Sequence, residues 1–195
     1  MNRQLERIEE EFESARARLR ALAQVAPFSV WPVRPDPNRW SIADCVEHLN
    51  RTASAFLPLL RAGLEQAEAD RRPDRSYRRD PMGWLLSVIM PPPVRFARVK
   101  TTSDFEPSGN VEPAELVRTF ERLQDEQIAY LRAADGLPLN RIRIRSPFDA
   151  RTQYNAYSCL VILPRHQHRH LWQAERVAEE LAKGGKSVTA EGRAG

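Results

Sequence analysis

The chain has 195 residues, of which 42% are hydrophobic, and its 30 basic and 26 acidic residues give a formal net charge of +4. This length favours one domain, residues 1–185, followed by a disordered tail at 186–195. The densest basic run, residues 71–80, is broken by aspartates and contains a single tyrosine, so no nucleic-acid partner is expected. Cys45 and Cys159 are too few and too far apart for a disulfide framework, which favours a reducing cytoplasm.

The N-terminal residues carry charges from the third position onward and lack the apolar segment of a signal peptide. The most apolar stretch, residues 84–90, is far too short to cross a bilayer. We therefore expect a cytoplasmic protein with no export signal, no membrane span and no membrane partner.

The spacing of apolar residues is predominantly helical. Intervals of three and four predict four amphipathic helices, at residues 5–25, 42–64, 113–136 and 153–183. Residues 71–110 form a proline-rich insertion, with a short helix predicted near 82–90. Residues 141–145 alternate arginine with isoleucine, but a lone strand has no pairing partner, so a loop is predicted there. The expected fold class is all-α, a four-helix bundle with a proline-rich insertion between helices two and three.

The four histidines fall on two of the predicted helices. His166 and His170 lie one turn apart on the apolar side of the fourth helix, whereas His168 points the other way. Two imidazoles at this spacing are a common pair of ligands for a divalent ion, although buried, hydrogen-bonded histidines also show it. Because Gln167 follows His166, the HExxH motif is absent and a zincin protease is not expected.

A third ligand has to come from another helix, and His48 is the remaining histidine. It lies beside the apolar stripe of the second helix, where it can reach the edge of the core or remain a surface residue. Asp44, one turn earlier, is either the capping partner of Ser41 or a residue that orients a ligand. Gln173 lies near the histidine pair and could orient a ligand or substrate, or be an ordinary buried glutamine.

Other residues near these positions have structural interpretations. Glu47 and Arg169 flank the histidines in sequence and therefore point away from them, as expected of surface or subunit ion pairs. Trp40 precedes the predicted N-cap Ser41 and is expected to be a hydrophobic staple rather than a substrate platform. A cysteine nucleophile is disfavoured, because a buried free cysteine is usually an inert small hydrophobe.

Three segments resemble the DinB/YfiT-like superfamily. WSIADCVEHL is similar to the W-S-x-x-x-x-x-x-H-L signature that opens helix two of that family, and HQHRHLWQAERV is similar to its helix-four signature H-x-x-x-H-L-x-Q. SPFDARTQYNAY resembles the stretch before the last helix. The order of these segments matches the family over about residues 5–181.

The resemblance implies one divalent ion held by His48, His166 and His170. Members of the family are often homodimers, and the ion varies among nickel, zinc, iron and manganese. Characterised relatives include S-transferases that use bacillithiol or mycothiol, a thiol-dependent maleylpyruvate isomerase and a proposed metal-dependent hydrolase. The expected function is transfer of a low-molecular-weight thiol to a small electrophilic substrate. A hydrolase that uses metal-activated water, and a non-catalytic structural dimer, are the alternatives.

Overall fold

The computed structural model describes residues 1–70, 74, 76–91, 103–149 and 151–191. Within these residues the α-helices and strands are α1 Arg3–Val25, α2 Ile42–Ala69, α3 Pro81–Ile89, α4 Pro113–Ala133, β1 Arg143–Arg145, β2 Gln153–Asn155 and α5 Ala156–Glu191, and short 3-10 helices lie at Phe28–Val30 and Ser103–Phe105. The long helices α1, α2, α4 and α5 pack against one another, and α3 packs on α5. The predicted four-helix bundle is confirmed, and the described part of the proline-rich insertion contributes α3. None of the helices described has a stretch long and apolar enough to span a bilayer.

The N-terminus of α2 begins where the sequence predicts it. The Ser41 hydroxyl accepts the backbone N–H of Asp44 at 3.0 Å, and the Asp44 carboxylate accepts the backbone N–H of Ser41 at 2.9 Å. This reciprocal capping box satisfies two N–H groups that have no partner inside the helix. It fixes the first turn of α2, and His48 lies on the next turn.

Two predictions about the C-terminal half were wrong. Residues 143–145 form a strand, which pairs antiparallel with β2 and places Ile144 opposite Tyr154. Both side chains are buried in the core, so the two short strands share an apolar face and are not isolated. The fourth long helix, α5, starts at Ala156 because β2 takes the preceding residues, and it passes Gly184 to end at Glu191. A glycine weakens a helix by only about 1 kcal/mol, so it does not force an end.

The apolar core is divided into two main clusters along the bundle. On α5 one cluster ends at Leu163 and the other begins at Leu171, and on α2 the corresponding members are Phe56 and Leu49. Between Leu163 and Leu171 on α5 the buried side chains include His166 and Gln167, and His48 on α2 and Gln124 on α4 are also buried polar residues. A polar layer therefore crosses the bundle where α2 and α5 face each other.

Two glutamines in this layer form a reciprocal amide pair. The Nε2 of Gln124 donates to Oε1 of Gln167 at 3.0 Å and to the carbonyl of Phe12 at 2.6 Å. The Nε2 of Gln167 donates back to Oε1 of Gln124 at 2.8 Å. These bonds connect α1, α4 and α5 next to His166. Both glutamine side chains are buried, so each needs the other as a hydrogen-bond partner.

Substitution of Gln167 by leucine is expected to destabilise the fold by about 1–3 kcal/mol, because the buried amide of Gln124 then loses a donor and an acceptor. The double variant Gln124→Leu/Gln167→Leu should be more stable than the sum of the two single effects predicts, since it removes both polar groups. Urea unfolding of the four proteins measures this coupling. Additive effects, within about 0.5 kcal/mol, would contradict the interpretation.

Candidate metal centre

Three histidines meet in the polar layer between α2 and α5. The Nε2 atoms of His48 and His166 are 3.3 Å apart. One ring nitrogen from each of His48, His166 and His170 lies within 4.8 Å of the other two. His48 is 2% exposed and His166 is 9% exposed, so the cluster is buried. The structure thus brings together the three residues that the sequence predicts as ligands.

The hydrogen bonds around these rings fit a divalent ion. The Nδ1 of His48 lies 2.9 Å from the carbonyl oxygen of Phe105. Since a carbonyl only accepts, Nδ1 carries the proton and the lone pair on Nε2 faces His166. The Nδ1 of His170 is buried and has no hydrogen-bond partner in the described part of the chain. Zinc binds imidazole nitrogens at about 2.0–2.1 Å, which in a tetrahedron places two of them about 3.4 Å apart. The Nε2 atoms of His48 and His166 are separated by nearly this distance, 3.3 Å.

Burial keeps all three imidazoles in their neutral form near pH 7. It lowers the pKa of His48, and the hydrogen bond to the Phe105 carbonyl opposes this change only in part. Burial also lowers the pKa of His166 and His170 far below the usual value, and neighbouring imidazoles and the Arg169 guanidinium add to the effect. Neutral imidazole is the form that binds a metal ion.

Aromatic side chains form the walls of the cluster. The ring centroid of Trp40 lies 4.9 Å from that of His48 and 5.6 Å from that of His170. The ring centroid of Phe148 lies 5.9 Å from that of His166. Trp40, expected only as a hydrophobic staple, thus also packs on two of the three imidazoles. Such walls exclude water and strengthen electrostatic interactions inside the site.

The two residues predicted to orient a ligand lie in different settings. The Asp44 carboxylate accepts bonds from Ser41 and, at 2.8 and 3.2 Å, from the Arg34 guanidinium, but none from His48. Burial lowers the pKa of His170, and Gln173 lies close enough to oppose this change, although no hydrogen bond of normal geometry joins the two. Asp44 therefore acts as a helix cap, and an orienting role for Gln173 stays a prediction.

Glu47, predicted to form a surface or subunit ion pair, pairs with Arg51 on its own helix and has a buried carboxylate. It accepts hydrogen bonds from Ser108, Gly109 and Arg51. Burial alone would raise the pKa of Glu47, but these hydrogen bonds lower it overall. The sequence carries no signal for this arrangement, since Ser108 and Gly109 are some sixty positions away.

His168 lies outside the cluster, as predicted. Its Nδ1 accepts a bond from the Arg18 guanidinium at 2.9 Å, and its Nε2–H donates to the carbonyl of Glu11 at 3.0 Å. Arg18 also pairs with Glu175 on α5. His168 therefore connects α1 to α5 and has a structural role.

Both cysteines are also separate from the chemistry of the cluster. Cys45 and Cys159 are completely buried. Burial raises the pKa of each thiol well above its ordinary value. A thiolate, the reactive form, is therefore disfavoured at both positions.

Comparison with known families agrees with the sequence signatures. The sequence profile of the DinB superfamily matches residues 11–174. The chain belongs to the DinB superfamily. The search of curated proteins finds no match for it.

Among solved structures, this DinB-superfamily chain is similar to YfiT from Bacillus subtilis, which is described as "a probable metal-dependent hydrolase with an unusual four-helix bundle topology". The TM-score is 0.62 and the identity 14%, over 93% of this chain and 90% of YfiT. At this identity the match shows a common fold.

Proposed function

We propose that this chain is a metalloenzyme that binds one divalent ion through His48, His166 and His170. The observation that carries the proposal is the convergence of three ring nitrogens within 4.8 Å in a buried, aromatic-walled site. Three neutral imidazoles add no negative charge and leave a coordination position free, as in catalytic rather than structural sites. Imidazole ligands suit zinc, nickel and iron, with manganese as the fourth ion known in the family.

The reaction best supported is transfer of a low-molecular-weight thiol to a small electrophilic substrate. When bound, the ion lowers the pKa of a coordinated thiol or water and so supplies a nucleophile near neutral pH. No carboxylate joins the three histidines among the described residues, so this part of the chain places no general base for water within the cluster. A free thiol has a pKa near 8.5 and needs less assistance than water to lose its proton.

The walls of the site fit this chemistry. Trp40, Phe105 and Phe148 offer apolar faces to the body of an electrophile and limit the entry of bulk water. Water would compete with the thiol for the electrophile, so its exclusion favours transfer over hydrolysis. The chain's own contribution is therefore to hold three neutral imidazoles in place and to keep the site dry.

Hydrolysis of an ester or amide is the second candidate function. The fold similarity to YfiT, a protein described as a probable metal-dependent hydrolase, favours it. In this reaction water takes the place of the thiol as the nucleophile.

A homodimer, which the family resemblance implies, also stays a prediction that light scattering of the purified protein can test.

Elemental analysis of untagged protein, followed by assays of the metal-loaded form, tests the proposal. We expect about one ion per chain, and conjugation of 1-chloro-2,4-dinitrobenzene that depends on an added thiol such as cysteine or bacillithiol. Cleavage of 4-nitrophenyl acetate without thiol would instead identify a hydrolase. An ion with neither activity would leave a non-catalytic metal-binding bundle, and failure to retain any ion after dialysis against zinc would overturn the proposal.

A further inference from the structure

Glu47 precedes His48 on α2, but its carboxylate binds a different segment of the chain. Its Oε1 accepts the backbone N–H of Ser108 at 2.9 Å and the Ser108 hydroxyl at 2.8 Å, and its Oε2 accepts the N–H of Gly109 at 3.1 Å. Arg51, one helical turn later, donates to Oε1 through Nε and Nη2 at 3.0 and 2.8 Å. The residue is 5% exposed. A buried carboxylate with so many donors is an anchor for the segment 103–110.

The backbone of this segment is shaped to receive the carboxylate. Gly109 has φ +71°, in the left-handed region that favours glycine. Two successive backbone N–H groups, those of Ser108 and Gly109, consequently face the same anion. The segment is held at a defined position against α2.

The anchored segment reaches back to the metal ligand. Phe105 is buried, and its carbonyl accepts the Nδ1–H of His48 at 2.9 Å. Its ring packs on Phe148 with the centroids 4.3 Å apart, and Phe148 in turn lies beside His48 and His166. Glu47 and His48 are therefore adjacent on α2, and both side chains bind the same segment, Glu47 at Ser108 and His48 at Phe105.

We infer that Glu47 is a positioning residue for the metal centre. By holding the segment 103–110, it keeps the Phe105 carbonyl on Nδ1 of His48 and directs the Nε2 lone pair toward His166. The effect on metal affinity rests on the proposed function, whereas the effect on the His48 tautomer does not. Loss of the direct hydrogen-bond partner of a metal ligand weakens binding by about 10- to 100-fold, which sets the upper limit for loss of the residue that holds this partner in place.

Zinc titration in competition with a chelator tests the inference on Glu47→Ala and Glu47→Gln. We expect Kd to rise several-fold, and at most about 100-fold, in Glu47→Ala. The rise should be smaller in Glu47→Gln, which keeps one acceptor oxygen for Ser108 but presents an amide group to the N–H of Gly109. Leu57→Val is the matched control, because Leu57 is buried on the same helix but packs with Ala53 and Leu123. It should lower Tm without changing Kd.

Nitrogen NMR of the histidine side chains in metal-free protein supplies a readout that a purely structural role would not change. In the wild type, His48 should show one tautomer with a slowly exchanging Nδ1–H, and in Glu47→Ala this proton should exchange faster and the tautomers should mix. Wild-type His48 signals in Glu47→Ala, with Kd within twofold of the wild type, would overturn the inference whatever happens to Tm. If the wild type binds no zinc, the proposed function fails and the NMR comparison alone decides the role of Glu47.

Discussion

The variant His166→Ala is expected to lower the affinity for a divalent ion by about a hundredfold or more. Apparent binding free energies of structural zinc are about 10–16 kcal/mol with four ligands, so the loss of one ligand costs about 3 kcal/mol. Each 1.4 kcal/mol is a factor of ten in Kd. The lost imidazole also faces His48 at 3.3 Å, so its removal opens the centre of the cluster. Calorimetric titration and elemental analysis measure the loss.

The chain supplies a matched control two residues further on. His168 lies on the same helix, but it bonds to Arg18 and to the carbonyl of Glu11 instead of the cluster. His168→Gln should therefore keep the ion while losing about 1 kcal/mol of stability between α1 and α5. Any thiol-dependent or hydrolytic activity should follow the ion and not the stability. An unchanged Kd in His166→Ala, or loss of the ion in His168→Gln, would contradict the assignment.

The sequence predicts well those features that depend on residues close together along the chain. The interval between His166 and His170 is one helical turn, so their common side follows from helix geometry alone. The capping box of Ser41 and Asp44 is equally local, and the start of α2 at Ile42 is confirmed. The meeting of His48 with the pair is not local. His48 is a candidate because it is the remaining histidine, and the family resemblance implies it as the third ligand.

Contacts between distant segments were missed for a physical reason. Residues 141–145 show the alternation of a strand, but their partner β2 has only three residues and runs directly into α5, so the sequence does not reveal the second strand of the hairpin. The bond between Glu47 and Ser108 joins positions 61 apart, and no spacing rule predicts it. The residues that orient a ligand are therefore harder to find from the sequence than the ligands themselves.

Metal-free protein is expected to lose stability steeply as the pH falls below about 6.5. The pKa of each of the four histidines is lowered, in every case with burial as the largest cause. The unfolded chain binds protons at these positions near pH 6.5, whereas the folded chain does not. The stability of the fold that depends on neutral histidines is therefore fully present above pH 6.5, and it is lost as the pH falls toward the pKa values of the folded state.

The expected loss can be estimated from the two most strongly shifted residues, His166 and His170. Each contributes at most about 1.4 kcal/mol per pH unit, so together they remove at most about 4 kcal/mol between pH 6.5 and 5. A loss of this size is a large fraction of the stability of an ordinary domain. Thermal unfolding of chelator-treated protein from pH 7.5 to 5 measures it, and a Tm that stays flat over this range would contradict the burial of neutral imidazoles.

Zinc should change the shape of this pH profile. A metal ligand has to stay deprotonated, so saturating zinc stabilises the folded state until protons displace the ion, and the fall in Tm should move to lower pH. His168→Gln separates the contributions, because His168 is buried but is not a ligand. Its metal-free profile should be only slightly shallower than that of the wild type, and zinc should protect it equally. If His168→Gln abolished the acid loss, the proton-sensitive group would be the link between α1 and α5 instead of the three-histidine cluster.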